Sequence, residues 1–273
     1  MPCYRAAVDP TARNDAAFRP IDAPETGPLE AVWLGRADYR TVWALQKELA
    51  ASRAAGRIGD RLLLVEHPAV LTLGRHSDET HVRTTVADLG TRGIELIRVE
   101  RGGEVTYHGP GQLVAYPIIA LARRGLLVRP LVRALEAAMV ETCAAFGVVA
   151  DRRDGQPGCW IDPSGGAPRK IGALGIRIER GVSYHGIALN IDPDMADFEL
   201  IDPCGMPDVV STSVAIEAGR PDEQPSTAAV AAAAAVFARA FAARIAATLQ
   251  GDGSAQPGSL STAPPSGVPA MVS

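Results

Sequence analysis

The chain has 273 residues, 47% of them hydrophobic and 21% charged, with a formal net charge of −4. This length suits one large domain or two small ones, and the slightly acidic balance excludes a protein that coats nucleic acid, whose footprint is strongly basic. No uninterrupted apolar run reaches the roughly 20 residues of a membrane span, and Cys3, Cys143, Cys159 and Cys204 are too scattered for a disulfide scaffold or a zinc ribbon.

Residues 1–27 are polar, contain prolines and show no period, so they read as a disordered extension. They carry charges where a signal peptide needs an apolar core, which points to a cytoplasmic protein. From Leu34, the stretch LGRADYRTVWALQKELAASRAAGRIGD places Val42, Leu45 and Leu49 at helical spacing and predicts a helix. RLLLVEHPAVLTLGR predicts two short strands broken at His67-Pro68, because proline cannot donate to a ladder. Residues 86–93 read as a short helix and turn, and IELIRVERGG as a strand. QLVAYPIIAL is another strand, whose Pro117 suggests a sheet edge or a strand end.

VRPLVRALEAAMVETCAAFGV is an amphipathic helix stopped by Gly147, with Cys143 as a buried structural thiol. GCWID, IGALGIRIE and VSYHGIALNI predict an antiparallel meander, with the loop DPSGGAPRK between the first two. Residues 195–208 form a Pro- and Gly-containing connection, and STAAVAAAAAVFARAFAARIAATL an Ala-rich helix. Residues 250–273 are low in complexity and read as a disordered tail, which leaves 28–249 for a catalytic domain. Strands and helices mix without βαβ alternation, so the fold class is α+β (α/β mixed), a largely antiparallel sheet with flanking helices.

Three segments concentrate unusual residues: 101–116, 170–190 and 202–208. Cys204 sits in IDPCGMPD, on a non-helical Pro-Cys-Gly turn, and is either an incidental loop cysteine or an exposed nucleophile. Lys170 is one of only two lysines, with Lys47, among 27 basic residues. It is either a solvated strand-end charge or a group chosen because lysine, unlike arginine, can lose its proton. His108 and His185 each lie in a Tyr-His-Gly tripeptide and are either hydrogen-bonded strand histidines or pocket-wall or general-acid residues. His67 reads as structural. Arg101 is either an anion contact or an ordinary salt bridge. The chain has no GxxxxGK[ST], no strand-to-helix GxGxxG and no GxSxG. Together these residues suggest a Cys/Lys dyad at a Gly-lined pocket and acyl transfer through a thioester.

The stretch RGGEVTYHGPGQLVAYP (residues 101–117) resembles the signature of the lipoyl(octanoyl) transferases. LLLVEHPAVLTLGR, PGCWID, KIGALGIRI, SYHGIALNI and DPCGMPD follow in that family's order, so the resemblance covers roughly residues 30–220. It implies a catalytic fold like that of biotin and lipoate protein ligases. It further implies that Cys204 is the nucleophile and that Lys170 lowers its pKa and moves protons. The acyl chain would lie along Arg101, Gly102, Gly103, Glu104, Val105, Thr106, Tyr107 and His108. Ala173, Leu174 and Gly175, with Gly186, Ile187 and Ala188, would complete the walls, and His185 would be an accessory residue. The implied reaction moves an octanoyl group from octanoyl-acyl carrier protein to a lysine of lipoyl domains. Those domains belong to 2-oxoacid dehydrogenase complexes and to the glycine cleavage H protein. The resemblance implies no cofactor, no metal, and neither nucleic acid nor membrane as partner. Two other readings compete: an ATP-dependent lipoate or biotin ligase, which does not need Cys204, and a non-catalytic protein that binds acyl carrier or lipoyl domains.

Overall fold

The computed structural model describes residues 27–250 except 76, 163–166, 203–208, 221–225 and 248. The expected terminal extensions therefore fall almost wholly outside the described residues. So does the turn that carries Cys204.

The chain opens with strand β1 (Leu29–Arg36), helix α1 (Tyr39–Ala54), β2 (Asp60–Glu66) and β3 (Val70–Leu73). The next elements are α2 (Val86–Thr91), β4 (Glu95–Arg98), β5 (Thr106–His108), β6 (Gln112–Ile118) and α3 (Val128–Ala145). Then come β7 (Asp151–Arg153), β8 (Gln156–Ile161), β9 (Arg169–Glu179), β10 (Val182–Asn190) and β11 (Val210–Ser211). The described chain closes with α4 (Val214–Glu217), α5 (Thr227–Arg244) and β12 (Leu249–Gln250). Among the described residues, a nine-stranded sheet runs β12-β1-β2-β6-β10-β9-β8-β7 with β11 beside β9, and a small sheet runs β4-β3-β5. Both mix parallel and antiparallel pairs, so the fold is α+β with a mixed sheet.

Helices α3 and α5 cover one face of the large sheet and α1 the other. Phe237 and Phe241 of α5 are fully buried with Leu135 and Met139 of α3 over Leu62, Leu113 and Leu189. Helix α5 is also, among the described residues, long and apolar enough to cross a membrane, with a mean hydropathy of 1.3 over 18 residues. Here its apolar side chains belong to the protein core. A second core fills the space under the small sheet, where Leu71, Val105 and Tyr107 meet Phe198 and Ile201.

Three sequence expectations are corrected. The helix does not begin at Leu34: that residue lies in β1, whose alternate residues Leu29, Ala31 and Trp33 are buried as a half-exposed strand requires. Asp38 caps α1 by accepting from the Thr41 N–H at 2.8 Å. The β7–β8 hairpin, turned by Asp154-Gly155 with Gly155 at φ +77, carries an Asp-Gly signal that the strand reading passed over. Finally, Pro117 lies within β6, one residue before its end, and does not mark an edge, because β6 sits between β2 and β10. The β6–β10 ladder breaks between the Ile187–Ala115 pair and the Ala120–Val182 bridge, where proline has no N–H to give. Ser183 repairs the gap: its Oγ donates to the Pro117 carbonyl at 2.6 Å and accepts from the Ile119 N–H at 3.1 Å.

Candidate active site

The site lies on the seam between the two sheets. Segment 101–108 leads into β5 of the small sheet and faces β6, β9 and β10 of the large one. Between them is a pocket with about 440 Å³ of open space, whose walls include Arg101, Gly103–Thr106 and His108 from the first side and Ala173–Gly175 and His185–Ala188 from the second. Of the residues named from the resemblance, two do not face it. Gly102 lines an adjoining chamber of about 900 Å³. Tyr107 points the other way, stacks edge-on to Phe198 and donates to Asp197 Oδ2 at 2.7 Å. Alternation along a strand makes that unavoidable: when Thr106 and His108 face the pocket, Tyr107 faces the second core.

The glycines answer first to neighbouring backbone. A Cβ at Gly175 would stand 2.5 Å from the Gly102 carbonyl oxygen, and one at Gly186 would overlap the carbonyl oxygen of Ala115. They let β9 touch the 101–104 segment and β10 touch β6, which is how the pocket acquires close walls.

Arg101 is neither a simple salt bridge nor an exposed anion hook. It is buried, and its guanidinium donates to the Thr72 carbonyl at 2.6 Å, the Glu104 carbonyl at 2.7 Å and Thr72 Oγ1 at 2.9 Å. It pins the 101–104 segment to β3. The chain of contacts continues, since His108 Nε2 lies 3.5 Å from Thr72 Oγ1 and Nδ1 lies 2.8 Å from Gln112 Oε1. Gln112 uses its amide N–H groups on the Tyr107 carbonyl and Asn190 Oδ1, so Oε1 accepts and His108 Nδ1 is the donor. His67 is fixed the same way: Nδ1 donates to the Ala37 carbonyl at 2.7 Å, and Nε2 accepts from the Tyr116 hydroxyl at 2.9 Å.

These imidazoles are neutral. Burial lowers His67 to about 4, against the opposing pull of the Ala37 carbonyl and Asp38. Burial, helped by nearby His67 and Arg101, lowers His108 to about 3. Burial, with Arg101 and Lys47 adding, lowers His185 to about 3. A neutral His108 whose N–H is committed to Gln112 serves as a wall, not as a general acid at neutral pH. The unfolded chain takes up protons near pH 6.5 while the folded one resists until about pH 3–4, so stability is full above 6.5 and falls as the pH drops through that window. Stability from urea denaturation is expected to fall by about 3 kcal/mol between pH 6 and pH 5, from three such groups.

Lys170 lies on β9 between Trp160 of β8 and Ser211 of β11. It is 6% exposed, so the solvated strand-end reading does not hold. Its Nζ donates to the Pro157 carbonyl at 3.2 Å and sits 4.7 Å above the Trp160 ring. It faces both the larger chamber, with Gly103, Leu174 and Gly175, and a smaller recess with Thr106, Ala173, Ala188 and Ser211. Both spaces share walls with the pocket, so the lysine stands at its mouth. Cys204 lies outside the described residues, between Asp202, whose N–H donates to the His81 carbonyl at 2.8 Å, and β11. Cys3 lies outside them too. Cys143 and Cys159 are fully buried, and a hydrogen bond with Cys143, then burial, pushes the Cys159 thiol up. Neither has the exposed, electropositive setting of a reactive thiol.

The sequence reading missed Tyr39, Val114 and Tyr116 in the pocket wall and Pro157 and Trp160 around the lysine. PGCWID is one of the motifs of the resemblance, to which no site residue was assigned, and strand alternation through QLVAYP marks Val114 and Tyr116 as alternate residues of one face.

Comparison with known proteins now bears on the site. The model of the lipoyl protein ligase A/B catalytic domain matches residues 38–236. An octanoyltransferase of Chloroflexus aggregans is 46% identical over 193 residues, 70% of this chain and 86% of the relative. One from Mycobacterium tuberculosis is 47% identical over 206 residues, 74% and 85% of the two chains. Among solved structures, the bipartite lipoate protein ligase of Thermoplasma acidophilum superposes with a TM-score of 0.58 at 16% identity, over 82% of this chain and 85% of that one. Lipoate-protein ligase A bound with ATP gives a TM-score of 0.55 at 17% identity, over 82% and 87%. At these identities the structures establish the shared fold alone. With the family model spanning most of the chain and the relatives well above 30% identity, the chain belongs to the lipoyl protein ligase A/B catalytic domain family and, within it, to the octanoyltransferases, which makes it an acyltransferase.

Proposed function

We propose that the protein takes an octanoyl group from octanoyl-acyl carrier protein onto Cys204 and passes it to a lysine of a lipoyl domain, with Lys170 handling the protons. In the first step the Cys204 thiolate attacks the thioester carbonyl, a new C–S bond forms, and the carrier's thiolate leaves and takes a proton from the Lys170 ammonium, which leaves the lysine neutral. In the second, the lipoyl lysine's neutral amine attacks the acyl-cysteine, the amide forms, Cys204 leaves as thiolate, and the amine's proton passes to Lys170. An ammonium beside a thiol favours the thiolate, and a desolvated lysine can also accept a proton. The donor arrives already activated as a thioester, so the scheme has no ATP-dependent step. The acceptors are the lipoyl domains of 2-oxoacid dehydrogenase complexes and of the glycine cleavage H protein, and the setting is cytoplasmic.

One observation carries this reading: the buried Lys170 at the mouth of the pocket pairs in register with Ser211, a few residues beyond Cys204 in the chain. That register brings the chain to the ammonium seven residues after Cys204. A donor assay tests the whole. With a lipoyl domain as acceptor, octanoyl-acyl carrier protein should label the lysine without ATP, and free octanoate plus ATP should not. Labelling only from octanoate and ATP would make the protein a ligase.

A further inference from the structure

The pocket's inner end is polar, and its polarity centres on one side chain. His185 is 1% exposed, lines the pocket, and has no hydrogen-bond partner at either ring nitrogen among the described residues. Its backbone is also unusual, with φ at +54, a region that non-glycine residues seldom adopt. It is held there on purpose: the buried Gln46 of α1 accepts from the His185 N–H at 2.9 Å, at the break in the β6–β10 ladder. A strained residue whose side chain is presented unpartnered to a cavity invites a functional explanation.

Depth supplies one. Ala173 pairs with Ala188 and borders the recess shared with Lys170, whereas His185 pairs with Ile176. Those two levels are three strand residues apart, or about 10 Å. Seven C–C bonds in zigzag make an extended eight-carbon chain about 9 Å long. Tyr39, Arg101 and Tyr116 line the pocket but neither space that contains Lys170, so they surround its inner end with His185, whereas His108, bonded to Gln112 of the recess, stands nearer the lysine.

We infer that His185 is the floor that limits acyl length. An octanoyl tail ends at its level. A twelve-carbon tail, roughly 5 Å longer, would have to press methylenes onto an imidazole whose N–H and lone pair would then face only hydrocarbon. Burying a polar group without a partner is costly, and the site thus rejects what it cannot satisfy. This rests on the proposed reading that the pocket holds the acyl chain.

The test measures kcat/KM for acyl-acyl carrier proteins from six to fourteen carbons with a lipoyl domain as acceptor. The wild-type protein should prefer eight carbons to twelve by at least about tenfold, within the range a few methylenes command. His185→Gly, which suits a positive φ and opens the floor, should raise the twelve-to-eight ratio about tenfold or more. His185→Asn, also tolerated at this φ but still polar, should raise it less. A loss of fold or general activity would lower both rates together and leave the ratio alone, so the ratio reads the floor itself. Equal use of eight and twelve carbons by the wild-type protein would overturn the inference, as would an unchanged ratio in whichever variant folds. No transfer of any acyl chain by the wild-type protein would instead overturn the acyl-transfer reading beneath it.

Discussion

Replacing Cys204 by serine is expected to reduce octanoyl transfer at least about 10³-fold, as loss of a covalent nucleophile does in other enzymes. The change keeps the shape of the side chain nearly intact and alters only its chemistry. A hydroxyl near pH 7 holds its proton far more tightly than a thiol and leaves less readily from an acyl intermediate. Cys143 and Cys159 cannot substitute from within the core, since they are buried against each other. Binding of octanoyl-acyl carrier protein should persist. A serine variant that turns over at a normal rate would show that no acyl-cysteine forms and would favour a ligase or a carrier-binding role.

The second large effect is expected at Lys170. Lys170→Arg keeps a positive charge beside the proposed thiolate but removes a group that can give up a proton. We expect transfer to the lipoyl lysine to fall about 10²–10³-fold, the usual scale of general acid–base assistance. Acylation of Cys204 should fall less, because charge alone helps to keep the thiolate. Rapid-quench measurement of the two half-reactions separates these effects. The variant also probes packing, because the Nζ donates to the Pro157 carbonyl and lies over the Trp160 ring, and a guanidinium fits neither in the same way. A melting curve matching the wild type assigns the loss to chemistry. Near-normal rates in both half-reactions would refute proton transfer by Lys170.

Much of this was legible in the sequence, for physical reasons that differ from element to element. The meander of β8, β9 and β10 was readable because Gly and Arg-Gly turns punctuate runs of β-branched residues. Helix α3 was readable because its apolar stripe and Gly147 stop agree. Helix α1 was recognised by its periodicity but begun too early, and its buried stripe was not read, since Gln46 and Arg53 are buried along with Val42. Gln46 holds His185 in its strained conformation, and Arg53 is ion-paired with the buried Asp60, which also pairs with Arg124. Buried polar residues that serve a distant partner leave no mark in a hydrophobic pattern. Pro117 misled for a related reason: the Ser183 hydroxyl that tolerates it in a central strand comes from 66 residues away.

The site was legible in part. Scarcity of lysine drew attention to Lys170, and the resemblance supplied most of the pocket wall. That Tyr107 would turn away follows from alternation alone and was overlooked because the signature was read as a continuous lining. His185 was readable as a candidate pocket-wall residue from its Tyr-His-Gly tripeptide, but its unpartnered ring was not, since that depends on its neighbours in three dimensions among the described residues.

The most direct measurement is intact-protein mass spectrometry after mixing the protein with octanoyl-acyl carrier protein, followed by peptide mapping and then addition of a lipoyl domain. The account predicts one added octanoyl group, on the peptide containing Cys204, that disappears as the lipoyl domain gains it. An unmodified protein, with the lipoyl domain octanoylated only when free octanoate and ATP are supplied, would contradict it.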